Sequence, residues 1–307
     1  MTTAGAIRTA PLPFELAGDE PDAHLVLDGA RGEPAARCSL WWSAGAIGHF
    51  SAADAASGER LLRAACARLA DHGCARAVGP MDGSTWQRYR LVTERGEEPP
   101  FFLEPDTPDH WRECFARAGF SVLARYCSSV QDDLTHRNAR LDGVARRAAA
   151  SDVRIRAFDP GHAERDLGAM HALALEAFSG AFLFCPIERA RFVDQYALVL
   201  PFVRPELVLL AEQRGKLVAF LFALPDMCES ARGCAPRTLI LKTVAGRRGR
   251  VYGGLGHLLV DRAITRAAAL GFERAVHALM HEASGSRNWS ARCGKVFRRY
   301  ALLGRAL

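Results

Sequence analysis

The sequence predicts an α/β protein built from two related units. Helical and strand periodicities alternate along most of the 307 residues. A six-residue pattern that closes a helix and opens a strand occurs once in each half. Near the C-terminus one strand runs through a glycine-rich loop into an amphipathic helix. The length agrees, because it exceeds what one compact core usually fills.

In the first half, residues 39–50 form an apolar, strand-like stretch. Residues 54–72 place Leu61, Leu62, Ala65, Cys66 and Leu69 on one helical face, closed by Gly73, and 76–78 read as a short strand. Pro99, Pro100, Pro105 and Pro108 mark a loop-rich passage before a helix at 109–118 and a strand at 120–130. A polar, Arg- and Ala-rich connector at 132–151 then leads to the alternation of Val153, Ile155 and Ala157, which opens a second unit. The predicted units are 1–140 and 141–307. The second holds helices at 163–179 and 187–200, a hairpin at 207–224 turning at Arg214-Gly215, a strand at 238–245, a helix at 254–270, a strand at 274–281 and a last strand carrying Tyr300. The repeated pattern is Gly73-Cys74-Ala75-Arg76-Ala77-Val78 and Gly271-Phe272-Glu273-Arg274-Ala275-Val276.

Hydrophobic residues at 49% and charged ones at 24% describe a globular chain and exclude disorder as its expected state. There is no leader-like start and no long uncharged apolar run, so a cytoplasmic protein without a membrane partner is expected. The nine cysteines are scattered and form no CxxC pair, which argues against a disulfide framework, structural zinc or any metal centre. The net charge of +6 lies in Arg-rich helices, not in a lysine tract interleaved with aromatics, so no nucleic-acid partner is expected.

Chemistry concentrates where the strand Leu239-Ile240-Leu241-Lys242-Thr243-Val244-Ala245 runs into Gly246-Arg247-Arg248-Gly249-Arg250-Val251-Tyr252-Gly253-Gly254-Leu255-Gly256. Glycines ahead of a helix leave its first N–H groups uncovered. With the positive end of the helix dipole, these donors suit a diphosphate. Arg250, with Arg247 or Arg248, can add charge-assisted bonds. A Walker loop is excluded because Gly256 is followed by His257 and not by Lys, and a dinucleotide fingerprint fits poorly because Glu273 opens a strand instead of ending one.

Residues 244–256, followed by helix, strand and the Ser286-Arg287-Asn288 turn, resemble the coenzyme A core of the GCN5-related N-acetyltransferase (GNAT) family. The first unit resembles a second, degenerate copy, so the chain resembles tandem-domain members. The resemblance implies two tandem GNAT-like domains, each a mixed, splayed central sheet flanked by helices. It implies acetyl-coenzyme A, or another acyl-coenzyme A, held by Val244, Ala245, Arg250, Gly253, Gly254, Leu255, Gly256 and Asn288. The family loop is matched at Arg250 and Gly253 but has Leu255 at its last place. With one extra residue it is matched at Arg250, Gly254 and Gly256, so which amide faces which phosphate stays open. Aligning Gly271 with Gly73 puts Ala52, Ala55 and Ala56 at the corresponding loop positions of the first unit, beside acidic Asp54 and Glu59. That unit is expected not to bind coenzyme A and to cover or shape the acceptor site.

Acyl transfer to an amine needs a polarised thioester carbonyl, a neutral amine and a proton for the leaving thiolate. The resemblance gives the first task to backbone N–H groups at Val244 and Ala245. Glu282 and His281, ending the strand after the loop helix, are the base candidates, with ordinary strand-end solvation as the alternative. The family's tyrosine acid has Phe115 at its place in the first unit and no tyrosine in Ser290-Ala291-Arg292-Cys293-Gly294, leaving Tyr300 or Tyr252 as substitutes. Asn288 or Ser286 also suits a helix cap. His257, Asp261 and Thr265 share one helical stripe that reads as a solvated face, and around Cys185 and Cys293 the sequence shows no His and Asn pattern of the kind a cysteine nucleophile uses. The expected protein is an acetyltransferase acting by direct attack of a small-molecule or peptide amine, as a monomer or homodimer. Acceptor loops are expected at 182–191 and 225–236. A non-catalytic coenzyme A binding or regulatory module is the alternative.

Overall fold

The pairing of apolar strands, more than any local propensity, organises this chain. The structure, a computed structural model, describes residues 7–9, 20–30, 32–136 and 138–307, with the side chains of Ser286, Asn288 and Trp289 outside that description. In chain order the elements are β1 (Ile7–Thr9), β2 (Ala23–Asp28), β3 (Pro34–Trp41), β4 (Ala46–Ala52), α1 (Ala55–Asp71), β5 (Arg76–Gly79), β6 (Leu91–Glu94), α2 (His110–Arg117) and β7 (Ser121–Gln131). They continue with α3 (Arg140–Ala150), β8 (Val153–Ala157), α4 (Ala163–Phe178), α5 (Arg189–Ala197), β9 (Leu209–Gln213), β10 (Lys216–Pro225), α6 (Met227–Ala231), β11 (Thr238–Gly246), α7 (Leu255–Ala269), β12 (Arg274–His281), α8 (Gly285–Cys293) and β13 (Lys295–Ala306). Among the described residues no helix is long and apolar enough to cross a membrane.

Two compact units result, and a single cut near residue 140 does not describe them. Unit 1 is Met1–Gly96, Pro105–Tyr126 and Arg298–Leu307; unit 2 is Glu97–Glu104 and Cys127–Phe297. The predicted boundary is corrected chiefly by β13, which pairs antiparallel with β5 at Leu303↔Gly79 and with β6 at Tyr300↔Val92. Its hydrogen bonds therefore belong to the first unit, although it ends the second in sequence. Local periodicity identifies a strand but not its partner.

In unit 1 the strands run in the order β1-β2-β3-β4-β5-β13 and end at the first part of β7. The buried stripe of α1 (Leu61, Leu62, Ala65, Cys66, Leu69) packs on Leu25, Leu27, Cys38, Leu40 and Ile47. The apolar stretch at 39–50 is in fact the end of β3, a turn and most of β4, paired at Leu40↔Ile47. In unit 2 the end of β7 is followed by β12-β11-β10-β9-β8. The central strand β10 is buried from Leu217 to Pro225, a continuous apolar run suited to a strand covered on both faces.

The connector at 132–151 contains helix α3. Its Arg- and Ala-rich composition favours helix, and Leu141, Val144, Ala145 and Ala148 fall on one stripe that packs with Leu255, Leu258 and Leu259 of α7. The repeated hexapeptide has the same backbone in both units. Gly73 (φ +77°) and Gly271 (φ +88°) adopt the left-handed conformation after their helices, and the next residues close on the helix, Cys74 N–H to Leu69 O and Phe272 N–H to Ala267 O, both at 3.0 Å.

Candidate functional site

Strand β11 begins with the buried residues Thr238–Leu241 and pairs in parallel with β12 only from Thr238↔Arg274 to Leu241↔His277. Both strands continue beyond that point, β11 to Gly246 and β12 to His281, so they part at their C-terminal ends. On its other edge β11 stays paired with β10 as far as Gly246↔Ala219, with a register shift between Phe222↔Thr243 and Ala223↔Leu241 that leaves Lys242 as an extra, bulged residue. Backbone groups of 242–246 that point toward β12 therefore open onto the cleft. Arg247 N–H bonds Val218 O, so by alternation the backbone groups of Val244 face the cleft and those of Ala245 face β10.

The loop after β11 is exposed at Arg248, Gly249, Arg250, Val251 and Gly253. Leu255 N–H closes on Tyr252 O at 3.0 Å, and Gly254, at φ +85° and ψ −3°, occupies the third position of a type II turn that needs a left-handed residue. Gly254 is also the N-cap of α7. That helix has no side-chain cap and no acidic residue in its first turn. Among the described residues the N–H groups of Gly253, Gly254 and Gly256 have no intramolecular acceptor. Aligned free donors at the positive end of a 15-residue helix form an anion site. Arg250 projects from the same loop, whereas Arg247 is engaged, with Glu176 at 3.2 Å.

The corresponding helix end in unit 1 is closed. Asp54 caps α1, accepting from Ser57 N–H at 2.8 Å and Ser57 Oγ at 3.2 Å, and the Ser57 backbone N–H chiefly holds its carboxyl below the usual range. Glu59 pairs with Arg63 at 2.9 Å. The opening beside β4 is filled by the chain itself: Met81 N–H donates to Ile47 O at 2.9 Å, and Gly48 lies so close that a Cβ there would meet Met81 O and the Asp82 backbone.

Glu282 and His281 lie at the parted end of β12, both half-buried, at the same end of the parallel pair as Val244 and Ala245. His281 Nδ1 accepts from Ala283 N–H at 3.1 Å, so the neutral ring carries its proton on Nε2. Leu255 is buried beneath the loop at 2% exposure. Asn288 lies on α8, but its side chain is outside the described residues. Tyr300 is 1% exposed and sits in the part of β13 that belongs to unit 1.

Two features of the site were not foreseen from the sequence. Tyr196 on α5 hydrogen-bonds Thr243 in the open part of β11 and packs edge-on to Phe222 at 4.7 Å, and desolvation pushes its phenol up to about 12. The spacing of Phe192 and Tyr196 on one helical face was the available signal. Ser290, in the α8 stretch that lacks tyrosine, is wholly buried, and its hydroxyl has no partner among the described residues.

His277 marks the base of the cleft. It is 5% exposed, bonds Gln131 Oε1 through Nε2 at 3.2 Å, and is pushed by burial from 6.5 down to about 4. Between those values the unfolded chain binds a proton that the folded chain excludes. Stability therefore falls as pH drops through this window, by about 3 kcal/mol in all. His277→Gln, which keeps a donor for Gln131, is expected to lose this component. The check is the difference between wild-type and variant denaturant stability at pH 7 and near pH 4.5, and an identical difference at both pH values contradicts the assignment.

No family model and no curated protein matches this sequence. Solved structures do match its fold. A GCN5-related N-acetyltransferase from Sphaerobacter thermophilus is similar over 92% of this chain and 80% of its own, at 14% identity and a TM-score of 0.52. A tandem GNAT protein from the clavulanic acid biosynthesis pathway is similar over 100% of this chain and 84% of its own, at 11% identity and a TM-score of 0.51. The GCN5-related glucosamine N-acetyltransferase region of a fungal multi-domain β-N-acetylglucosaminidase gives a TM-score of 0.55 at 13% identity over 92% of this chain, which spans 33% of the length of that protein. The chain carries the two-domain GNAT fold.

Proposed function

We propose that unit 2 binds the diphosphate of acetyl-coenzyme A, or of another acyl-coenzyme A, at the start of α7 and transfers the acyl group to an amine. One observation carries the reading: the N–H groups of Gly253, Gly254 and Gly256 are free at an uncapped helix start, next to the cleft where β11 and β12 part. The contrast with α1, whose first turn is occupied by its own Asp54, supports assigning the donor to unit 2.

The bound donor supplies an activated thioester; the chain supplies its surroundings. Arg250 offers a guanidinium to phosphate oxygens. The backbone N–H of Val244, which points away from β10, faces the developing negative charge on the acyl oxygen, while that of Ala245 is turned toward β10. Glu282 takes the proton of the attacking amine, directly or through water. Tyr196, neutral well above physiological pH and placed at Thr243, replaces Tyr300 as the phenol available to the leaving thiolate. Asn288 retains its proposed place along the pantetheine arm.

The second reading, a module that binds coenzyme A without turnover, is favoured by Ser290 lying where the resemblance expects a tyrosine acid. Purified protein given acetyl-coenzyme A and a panel of primary amines and amino-terminal peptides is expected to release free thiol faster than donor hydrolysis alone. Saturable binding of the donor with thiol release no faster than hydrolysis, on every acceptor, selects the binding module.

A further inference from the structure

The diphosphate loop does not hold its shape alone. Its turn is set from outside by α3, a helix that precedes the first strand of unit 2's α/β pattern. Val144 of α3 seats against Gly254, where an added Cβ would lie 2.9 Å from Val144 Cγ2. Arg147, one helical turn further on, donates from Nη2 to Gly253 O at 3.1 Å. A second tie joins the loop to the C-terminal end of the same helix. Tyr252 OH donates to Gln213 Oε1 at 2.7 Å, and Gln213 Nε2 donates to Ser151 O at 2.7 Å.

These contacts bear on one peptide plane. Residues 252–255 form a type II turn, which differs from type I mainly by a flip of its central peptide. Here that peptide joins Gly253 to Gly254, and two glycines impose no side-chain barrier to the flip. In a planar trans peptide the C=O and the following N–H point in opposite directions. With Gly253 O fixed toward Arg147, the Gly254 N–H must point away from α3, and it has no acceptor among the described residues. The flipped turn would instead present a carbonyl oxygen to the anion.

We propose that α3 is the loop-setting element of the donor site and that Arg147 is its positioning residue, holding the Gly253–Gly254 peptide so that the Gly254 N–H faces the diphosphate. This rests on the reading that the loop binds coenzyme A. Arg147 acts through the backbone and not as a phosphate ligand.

The test uses the full chain, Arg147→Gln, Arg147→Lys and the exposed neighbour Arg146→Gln, which removes the same charge one residue away. Coenzyme A affinity is measured by calorimetry, and the Gly254 amide is followed by ¹H–¹⁵N correlation without ligand. Arg147→Gln is expected to weaken coenzyme A about tenfold and to move the unligated Gly254 amide signal. Arg147→Lys, which keeps one charged donor, recovers most of both. Arg146→Gln changes affinity by less than about twofold and leaves the signal in place.

Equal losses from Arg146→Gln and Arg147→Gln overturn the proposal in favour of a general positive field. Weakened binding with an unmoved Gly254 amide overturns it in favour of direct phosphate contact, and unchanged binding overturns it outright. If the wild-type chain does not bind coenzyme A, the functional reading fails, while the unligated Gly254 signal still decides whether Arg147 holds the peptide.

Discussion

Gly253→Glu is expected to weaken coenzyme A binding at least about a hundredfold while leaving the fold intact. Gly253 is exposed and is not among the residues with positive φ. A Cβ there meets only Arg250 O at 3.6 Å and Gly249 O at 3.8 Å, ordinary contact distances. The new carboxylate is tethered beside the start of α7, where it can accept from the free amides much as Asp54 accepts from Ser57 at the start of α1. An intramolecular competitor at high effective concentration and a negative charge beside the phosphates both oppose the ligand. Gly254 is a poorer site for this test, since its φ of +85° and its approach to Val144 make any side chain there a stability defect as well. Calorimetric titration with coenzyme A, beside a thermal melt, reads both outcomes. Unchanged affinity contradicts the diphosphate assignment.

Glu282→Gln is expected to lower turnover about a hundredfold with coenzyme A affinity unchanged. The structure favours Glu282 over its neighbour because His281 Nδ1 already accepts from Ala283 N–H, so the neutral ring presents a proton where a base needs a lone pair. Glutamine preserves shape and hydrogen-bonding capacity but cannot take a proton at neutral pH. A parallel fall for His281→Gln, with Glu282→Gln near wild type, would transfer the base role to the histidine. Full activity in both variants would leave amine deprotonation to solvent.

Residues whose conformation is set within a few positions were legible in the sequence. The apolar stripe of α7 was readable from Leu255, Leu258, Leu259, Ala263 and Ala267, all of which are buried. The glycines at 73 and 271 announced helix ends because only a residue tolerant of positive φ closes a helix this way. The closed helix start of unit 1 was visible in Asp54, a carboxylate at the N-cap of α1.

What escaped was decided by distant partners. The strand at 295–306 carries no mark of its pairing with β5 and β6, so Tyr300 was placed in the wrong unit. The segment at Met81 and Asp82 occupies the opening beside β4 only because Gly48 allows the close approach. The helix in the Arg- and Ala-rich connector was hidden because its charged face dominates the composition, and the use of Val144 and Arg147 appears only when Gly253 and Gly254 lie against them. Tyr196 reads as an ordinary aromatic of an amphipathic helix until Thr243 is beside it.

The free amides at the start of α7 can be observed directly by titrating coenzyme A into ¹⁵N-labelled protein and following individual backbone N–H signals. The Gly254 and Gly256 signals should shift downfield and saturate together with binding, while Ser57, whose N–H is already held by Asp54, stays still. Saturable binding that leaves the Gly254 and Gly256 signals unmoved would show that the phosphates are held elsewhere.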